Sequence, residues 1–283
     1  MPLYKVILLA IIQGLAELLP VSSSAHVVVT EKVMGLDPSS PAMTLLLVML
    51  HTGTMFAVIV YFWKQWRETI FSSAAEFKRF AWLAILATAL TGIIGEGIAR
   101  IIEKTWLKNV PHAQIEDLFS HLGIIWPALL AAGVLIIIAG LRENRTPPAQ
   151  ESPEIDSRQA GLIGAVQGLC LPFRGFSRSG ATISVGTLAG VSKRRAEAFS
   201  FALAVILTPP VVAREVLRLR HADHSGFAAA ALPSVLGMVF AFLAGLLALK
   251  WLSSWLERGR WYYFGIYCLF ASAVVFVLHR HGF

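Results

Sequence analysis

The sequence predicts an all-α polytopic membrane protein built as two inverted-topology repeats, each a re-entrant helix hairpin followed by three transmembrane helices. Three observations carry that prediction. The chain is 56% hydrophobic and 14% charged, where soluble domains carry about 25% charged residues. Six apolar stretches, at 41–63, 79–102, 118–141, 196–216, 228–254 and 260–279, reach the about 20 residues that a helix needs to cross a bilayer. Two further apolar segments resemble each other and are each broken at a proline. The stretches are apolar throughout rather than alternating, which selects helices over a β-barrel, and helices satisfy their own backbone groups in lipid.

The interrupted segments come first in each half. One covers 3–34 and breaks at Pro20; the other covers 160–190 and breaks around Pro172–Gly175. Each opens its informative part with Gln-Gly-Leu and runs into a serine cluster. The second copy, from Gln167, lies 154 residues after the first, from Gln13, and that offset puts Ser23 on Ser177. The arms, about 12–17 residues each, are marginal for crossing a hydrocarbon core of about 30 Å, so each pair reads as a hairpin that returns to its own side. Such backbone is tolerated at depth only where protein or a water-filled cavity covers it.

Three spans follow each hairpin. Three is odd, so the second half starts on the opposite face, and the two hairpins enter from opposite sides to meet near the midplane. Interrupted segments at matching places in two halves are a pointer to such a midplane site. The first repeat covers 1–141, the second 159–283, and the Pro-, Arg- and acid-containing segment 142–158 is the linker. The whole forms a single membrane domain.

The net charge of +7 is read here as an orientation signal rather than as nucleic-acid binding. Nine Lys and Arg lie on the face of the N-terminus and thirteen on the other, with Arg174 and Arg178 set aside as hairpin residues. The positive-inside rule places the richer face in the cytoplasm and both termini outside. Cys170 and Cys268 are the only cysteines; both sit in apolar runs, and neither a disulfide framework nor a metal knuckle is readable from them.

Gln13 and Glu17 are four apart and share a helix face. An ionisable side chain at membrane depth is a functional candidate by default. Glu17 suits a general base or an oxygen ligand for Mg²⁺ or Ca²⁺, with Gln13 beside it. Pro20 then ends the arm, and Ser22, Ser23 and Ser24 open the next helix, whose unpaired N–H groups attract anions. His26 lies one helical turn beyond Ser22 and Ser23. A serine hydroxyl becomes a nucleophile when a base takes its proton, and Glu17 and His26 are both candidates. In the second copy, Ser177-Arg178-Ser179 and Thr182 sit at a helix start. The planar, permanently charged fork of Arg178 fits phosphate oxygens, and the hydroxyls and N–H groups around it complete an oxyanion site. Arg174 adds a second charge nearby. His51 in the first span either approaches this site or satisfies a neighbour.

These motifs resemble those of the bacitracin-resistance type of undecaprenyl-diphosphate phosphatase. That family carries Glu/Gln-x-x-x-Glu running into Pro-Val-Ser-Ser-Thr-Gly-His, then a later Pro-Gly-x-Ser-Arg-Ser-x-x-Thr. The chain reads Gln13-x-x-x-Glu17, Pro20-Val21-Ser22-Ser23-Ser24-Ala25-His26, and Arg174-Gly175-Phe176-Ser177-Arg178-Ser179-x-x-Thr182. The likeness extends to His51-Thr52-Gly53-Thr54 and covers both halves. Gln13, Ala25 and Arg174 depart from the commoner Glu, Gly and Pro.

The resemblance implies a multi-pass enzyme of the bacterial inner membrane. Its substrate would be a polyprenyl diphosphate lipid, hydrolysed at the terminal phosphate to recycle the cell-wall lipid carrier and give bacitracin resistance. Glu17, Ser23, His26 and Arg178 would be catalytic. Gln13, Ser22, Ser24, Arg174, Ser177, Ser179 and Thr182 would bind substrate, and a divalent cation, Mg²⁺ or Ca²⁺, would sit on Glu17 and Gln13. A homodimer is compatible with this reading. The competing reading is a carrier that flips undecaprenyl phosphate, with or without hydrolysis, because broken half-helices at the midplane also build transporters.

Overall fold

Prolines end the short helices. Helix α1, Leu3–Leu18, stops two residues before Pro20, and α6, Ser157–Cys170, stops two residues before Pro172. A proline lacks the N–H that would continue the ladder and drives the residue before it out of the helical region. After each break a shorter helix starts: α2, Ser23–Val33, and α7, Arg178–Leu188. The four arms have 16, 11, 14 and 11 residues. At about 1.5 Å per residue, none reaches across a hydrocarbon core of about 30 Å. Both interrupted segments are therefore helix pairs, as their sequence predicts.

The structure, a computed structural model, describes residues 1–37, 40–105, 121–143, 154–220 and 227–282. The remaining six helices are α3 (Pro41–Thr69), α4 (Ala74–Thr105), α5 (Leu122–Glu143), α8 (Lys193–Arg220), α9 (Phe227–Glu257) and α10 (Trp261–Arg280). Among the described residues all regular structure is helical. Five helices, α3, α4, α5, α9 and α10, are long and apolar enough to cross a membrane. The span expected at 196–216 is α8, a 28-residue helix with Pro209 and Pro210 inside it. Helices outrun their apolar stretches where the flanks suit them. Lys64, Arg67 and Glu68 continue α3 on an exposed face, being straight-chain residues that lose little freedom in a helix. Most of the expected linker, residues 144–153, lies outside the described residues, as does Lys108, one of the nine charges counted on the N-terminal face.

Caps fix two further starts. Pro41 opens α3 after Ser40, whose Oγ accepts from the Met43 N–H at 3.3 Å. Asp156 and Gln159 form a reciprocal capping box on α6, which satisfies two otherwise orphaned donors. The Arg79 guanidinium pairs with Glu154 and donates to the Ile155 carbonyl, tying α4 to the approach of α6.

Packing exchanges partners between the halves. Helix α1 lies on α9, and α6 lies on α4; α5 pairs with α10, and α3 packs on both α8 and α9. Small residues permit the closest approaches, as is common between membrane helices. A Cβ on Gly14 would sit 2.6 Å from the Ala241 carbonyl oxygen and 3.1 Å from the Gly245 nitrogen; one on Gly168 would sit 3.0 Å from the Thr91 carbonyl oxygen. Gly168 and Gly245 stand 154 residues after Gly14 and Thr91, so both hairpins dock through the same positions. Outward faces carry bare apolar side chains, among them Trp82, Ile85, Ile93, Leu243, Leu247 and Phe270. A surface this apolar suits lipid, not water.

The close contact at Gly14 yields a test. Gly14→Ala places a methyl against backbone that cannot swing aside, an overpacking cost of about 1–3 kcal/mol. The expected result is a lower thermal midpoint in detergent and a displaced first hairpin. An unchanged midpoint would contradict the α1–α9 contact.

Candidate active site

Each hairpin turn carries one unusual backbone residue. In the second, Gly175 has φ +107 and its Cα faces the Ile125 carbonyl oxygen, where an added Cβ would lie at 2.6 Å. In the first, Ser22 has φ 68 and is the single non-glycine residue with positive φ among the described residues. A non-glycine side chain held there costs of order 1–3 kcal/mol and persists only where its surroundings enforce it. The two turns touch. The Ser179 hydroxyl donates to the Leu19 carbonyl at 3.3 Å, and the Cys268 thiol donates to the Pro20 carbonyl at 3.4 Å.

That contact brings together residues far apart in the chain. Glu17, in the last turn of α1, is the hub. Arg178 Nη2, at the start of α7, donates to Glu17 Oε1 at 2.9 Å. The Ser23 hydroxyl, at the start of α2, donates to Glu17 Oε2. Gln13 Nε2 donates to the same oxygen at 3.2 Å, and His51 Nε2 stands 3.9 Å from it. The carboxylate thus has an arginine on one oxygen and a hydroxyl, an amide and an imidazole on or near the other.

Glu17, Ser23 and Arg178 wall a cavity of about 90 Å³. Glu17, Ser22, Ser23 and Ser24 line one side; Ser177, Arg178, Ser179 and the aromatic rings of Phe173 and Phe176 line the other. Arg178 Nη1 is buried and has no hydrogen-bond partner. A buried charged donor left unpaired is costly, and an incoming anion would relieve it. The first residues of α2 and α7 bring helix N-termini to the same space, with dipoles that favour negative charge.

Most of the sequence-derived site assembles here: Glu17, Ser22, Ser23, Ser24, Ser177, Arg178 and Ser179 at the cavity, and Gln13 directly behind Glu17. Three candidates stand elsewhere. Thr182 is fully buried, donates to the Arg178 carbonyl at 2.8 Å and lies 2.5 Å from the Ser200 hydroxyl, so it braces Arg178 from behind. Arg174 is in the same turn but off the cavity wall, within electrostatic range of buried Glu31. His26 also stands off the wall: Nδ1 is 2.7 Å from the Ser22 carbonyl oxygen and Nε2 is 2.6 Å from the Tyr267 hydroxyl. His51, which the sequence left between two roles, approaches Glu17 while its Nδ1 donates to the Leu47 carbonyl at 2.8 Å. Tyr267 carried no sequence signal; it lies 241 residues from His26 in an ordinary aromatic span.

Among the described residues no group of three or more His, Cys, Asp or Glu side chains comes together to hold a metal. The donors near the cavity are Glu17 and the amide oxygen of Gln13. Mg²⁺ is commonly held by one or two protein oxygens plus substrate phosphates and water. Two protein oxygens beside a phosphate-sized cavity fit that pattern only when a phosphorylated ligand completes the shell.

Comparison with known proteins places these residues in context. Residues 6–274 match the family described as bacitracin resistance protein BacA. The chain is 56% identical over 285 residues to undecaprenyl-diphosphatase 2 of Acinetobacter baylyi, with 98% of each chain covered. It is 32% identical over 279 residues to undecaprenyl-diphosphatase of Halothermothrix orenii, again with 98% of each covered. It is 33% identical over 293 residues to undecaprenyl-diphosphatase 2 of Burkholderia orbicola, with 99% of each covered.

Proposed function

The chain belongs to the bacitracin resistance protein BacA family, and we propose that it hydrolyses undecaprenyl diphosphate to undecaprenyl phosphate and inorganic phosphate. One observation carries the reading: a serine hydroxyl bonded to a carboxylate and an arginine with a buried, partnerless nitrogen line the same phosphate-sized cavity.

In this reading Arg178 Nη1 and the N–H groups at the starts of α2 and α7 take the oxygens of the terminal phosphate. Ser23 Oγ attacks its phosphorus while its proton passes to Glu17. The bond from that phosphorus to the bridging oxygen breaks, and the electron pair leaves with undecaprenyl phosphate. Water then displaces Ser23, taking the phosphoryl group as inorganic phosphate and returning the proton to the serine. Glu17 serves as base in the first step and shuttles the proton in the second, a contribution of about 10²–10⁴ in rate. Arg178 holds Glu17 as carboxylate until substrate arrives, then shares its charge with the phosphate. The contacts of His26 support Ser23 over the imidazole as nucleophile, because both ring nitrogens are already engaged.

Glu17 and Gln13 are the residues that would hold a Mg²⁺ or Ca²⁺ ion, and such an ion would offset charge building on the phosphoryl oxygens. The same proposal places the two hairpins in an inverted-repeat arrangement, with both termini on the periplasmic side of the inner membrane. The halves' exchange of packing partners supports it, as does their shared 154-residue register. Recycling of the lipid carrier would then confer resistance to bacitracin.

Phosphate release from a C55 diphosphate by the purified protein tests the reading. Release is expected, falling towards background with a chelator and returning on addition of Mg²⁺ or Ca²⁺. Full turnover in chelator would remove the ion from the proposal. Absence of release, with undecaprenyl phosphate crossing vesicle membranes that contain the protein, would replace the hydrolase by a carrier.

A further inference from the structure

The start of α2 lacks the usual side-chain cap. Ser22 occupies the N-cap position and makes no capping hydrogen bond; its hydroxyl instead lies 3.3 Å from that of Ser24. Its carbonyl receives the first backbone N–H of the helix, from His26, only at 3.4 Å. The His26 ring supplies the shorter contact to the same carbonyl, 2.7 Å from Nδ1.

A carbonyl oxygen can only accept, so Nδ1 carries the proton and, in the neutral ring, Nε2 is the acceptor. Its partner is the Tyr267 hydroxyl at 2.6 Å. The two rings are stacked, with centroids 5.6 Å apart and planes 12° from parallel. The Ser22 carbonyl thus sets the tautomer, and Tyr267 holds the plane of the imidazole.

The held carbonyl belongs to the strained residue beside the reacting serine. The peptide from Ser22 to Ser23 is planar and trans, so fixing the carbonyl of Ser22 also fixes the direction of the Ser23 N–H. Ser22, Ser23 and Ser24 all line the cavity, and His26 does not.

We propose that Tyr267 is a positioning residue for the hydrolysis, acting through His26: Tyr267 orients the imidazole, the imidazole holds the Ser22 carbonyl, and the fixed peptide presents Ser23. The proposal rests on the hydrolase reading and deepens it. It gives His26 a place in the site without contact with the phosphate. It also accounts for a backbone conformation that a serine avoids.

Tyr267 is 43% exposed, so Tyr267→Phe removes one hydroxyl without opening a core cavity. The expected result is a kcat about five- to tenfold lower, the order set by one lost hydrogen bond, with KM for C55 diphosphate unchanged. In a His26→Ala background the same substitution should cost nothing further. His26→Asn, whose amide can still donate towards the Ser22 carbonyl, should recover part of what His26→Ala loses, and His26→Gln should not. In ¹⁵N spectra the wild-type ring should show the Nδ1–H tautomer with a hydrogen-bonded Nε2, and Tyr267→Phe should shift the Nε2 signal as that bond is lost. Multiplying losses in the double variant, or Asn no better than Ala, would overturn the proposal. If wild type releases no phosphate, the hydrolase reading fails by itself; the ring signals still decide whether Tyr267 fixes His26.

Discussion

Arg178→Ala should leave phosphate release near background, a fall of about 10³–10⁵ in kcat by analogy with arginines that stabilise phosphoryl transfer. Two losses combine. Arg178 Nη1 is a buried donor without a partner, so its removal takes away the cationic donor at the cavity that an incoming phosphate would meet. Arg178 Nη2 also donates to Glu17 Oε1 at 2.9 Å. Breaking a buried pair from one side leaves the other charge stranded, at about 3–5 kcal/mol where burial is complete. Both groups here are partly exposed, at 22% and 17%, which lowers the structural share. Arg178→Lys separates the two losses. An ammonium keeps the charge beside Glu17 but lacks a fork able to serve carboxylate and phosphate at once. The lysine variant should therefore keep the wild-type thermal midpoint and still lose most of kcat. Assays of phosphate release alongside thermal unfolding in detergent decide this; wild-type turnover in the lysine variant would show that Arg178 acts as a point charge.

The difference between the hairpins follows from residue chemistry on a shared backbone. The 154-residue register pairs Glu17 with Leu171 and Ser24 with Arg178. The first hairpin therefore has a carboxylate where the second has an exposed leucine, and the second has a guanidinium where the first has a serine. Ser23 and Ser177 correspond as well, yet their hydroxyls differ in use. Ser23 donates to Glu17, while Ser177 accepts the Gly180 N–H at 3.2 Å and caps α7. Only when the two turns meet do the carboxylate and the guanidinium become one site.

The sequence makes that site legible to an unequal degree. Proline breaks, apolar run lengths and the internal copy predict the two helix pairs because each is a local or periodic property. Glu17 and Arg178 stand out because charge inside an apolar segment is expensive and so has a use. Thr182 and His26 show the limit. Their residue types suit phosphate chemistry, but hydroxyls and imidazoles also serve as struts, and the choice depends on partners at Ser200 and Tyr267 that belong to other helices. Tyr267 is unreadable for the same reason: its role comes from meeting a histidine in the opposite half, and an aromatic in a membrane span is otherwise unremarked. The register of α1 on α9 is equally hidden, since Gly14 and Gly245 are small residues in a chain with 22 glycines.

Glu17→Gln and Ser23→Ala should each lower kcat by about 10²–10⁴, and the double variant should be scarcely worse than either alone. The reason is that in the proposed mechanism the two side chains form one nucleophilic unit. Ser23 donates to Glu17, so without the carboxylate the hydroxyl keeps its proton, and without the hydroxyl the carboxylate has none to take. Residues that act as a unit are non-additive in this way. Glu17→Gln preserves shape and can still accept from Arg178, so the cavity should persist and substrate should bind with KM little changed. The same pair of variants distinguishes the two nucleophiles. If water attacks directly with Glu17 as base, Ser23→Ala should retain most turnover while Glu17→Gln loses it. If Ser23 attacks, both lose it, and rapid acid quenching of wild type during turnover should trap phosphate on Ser23, detectable by mass spectrometry of the peptide. Multiplicative losses in the double variant would mean that Glu17 and Ser23 contribute through separate routes, and the hydrogen bond between them would then be a resting contact rather than the path of the proton.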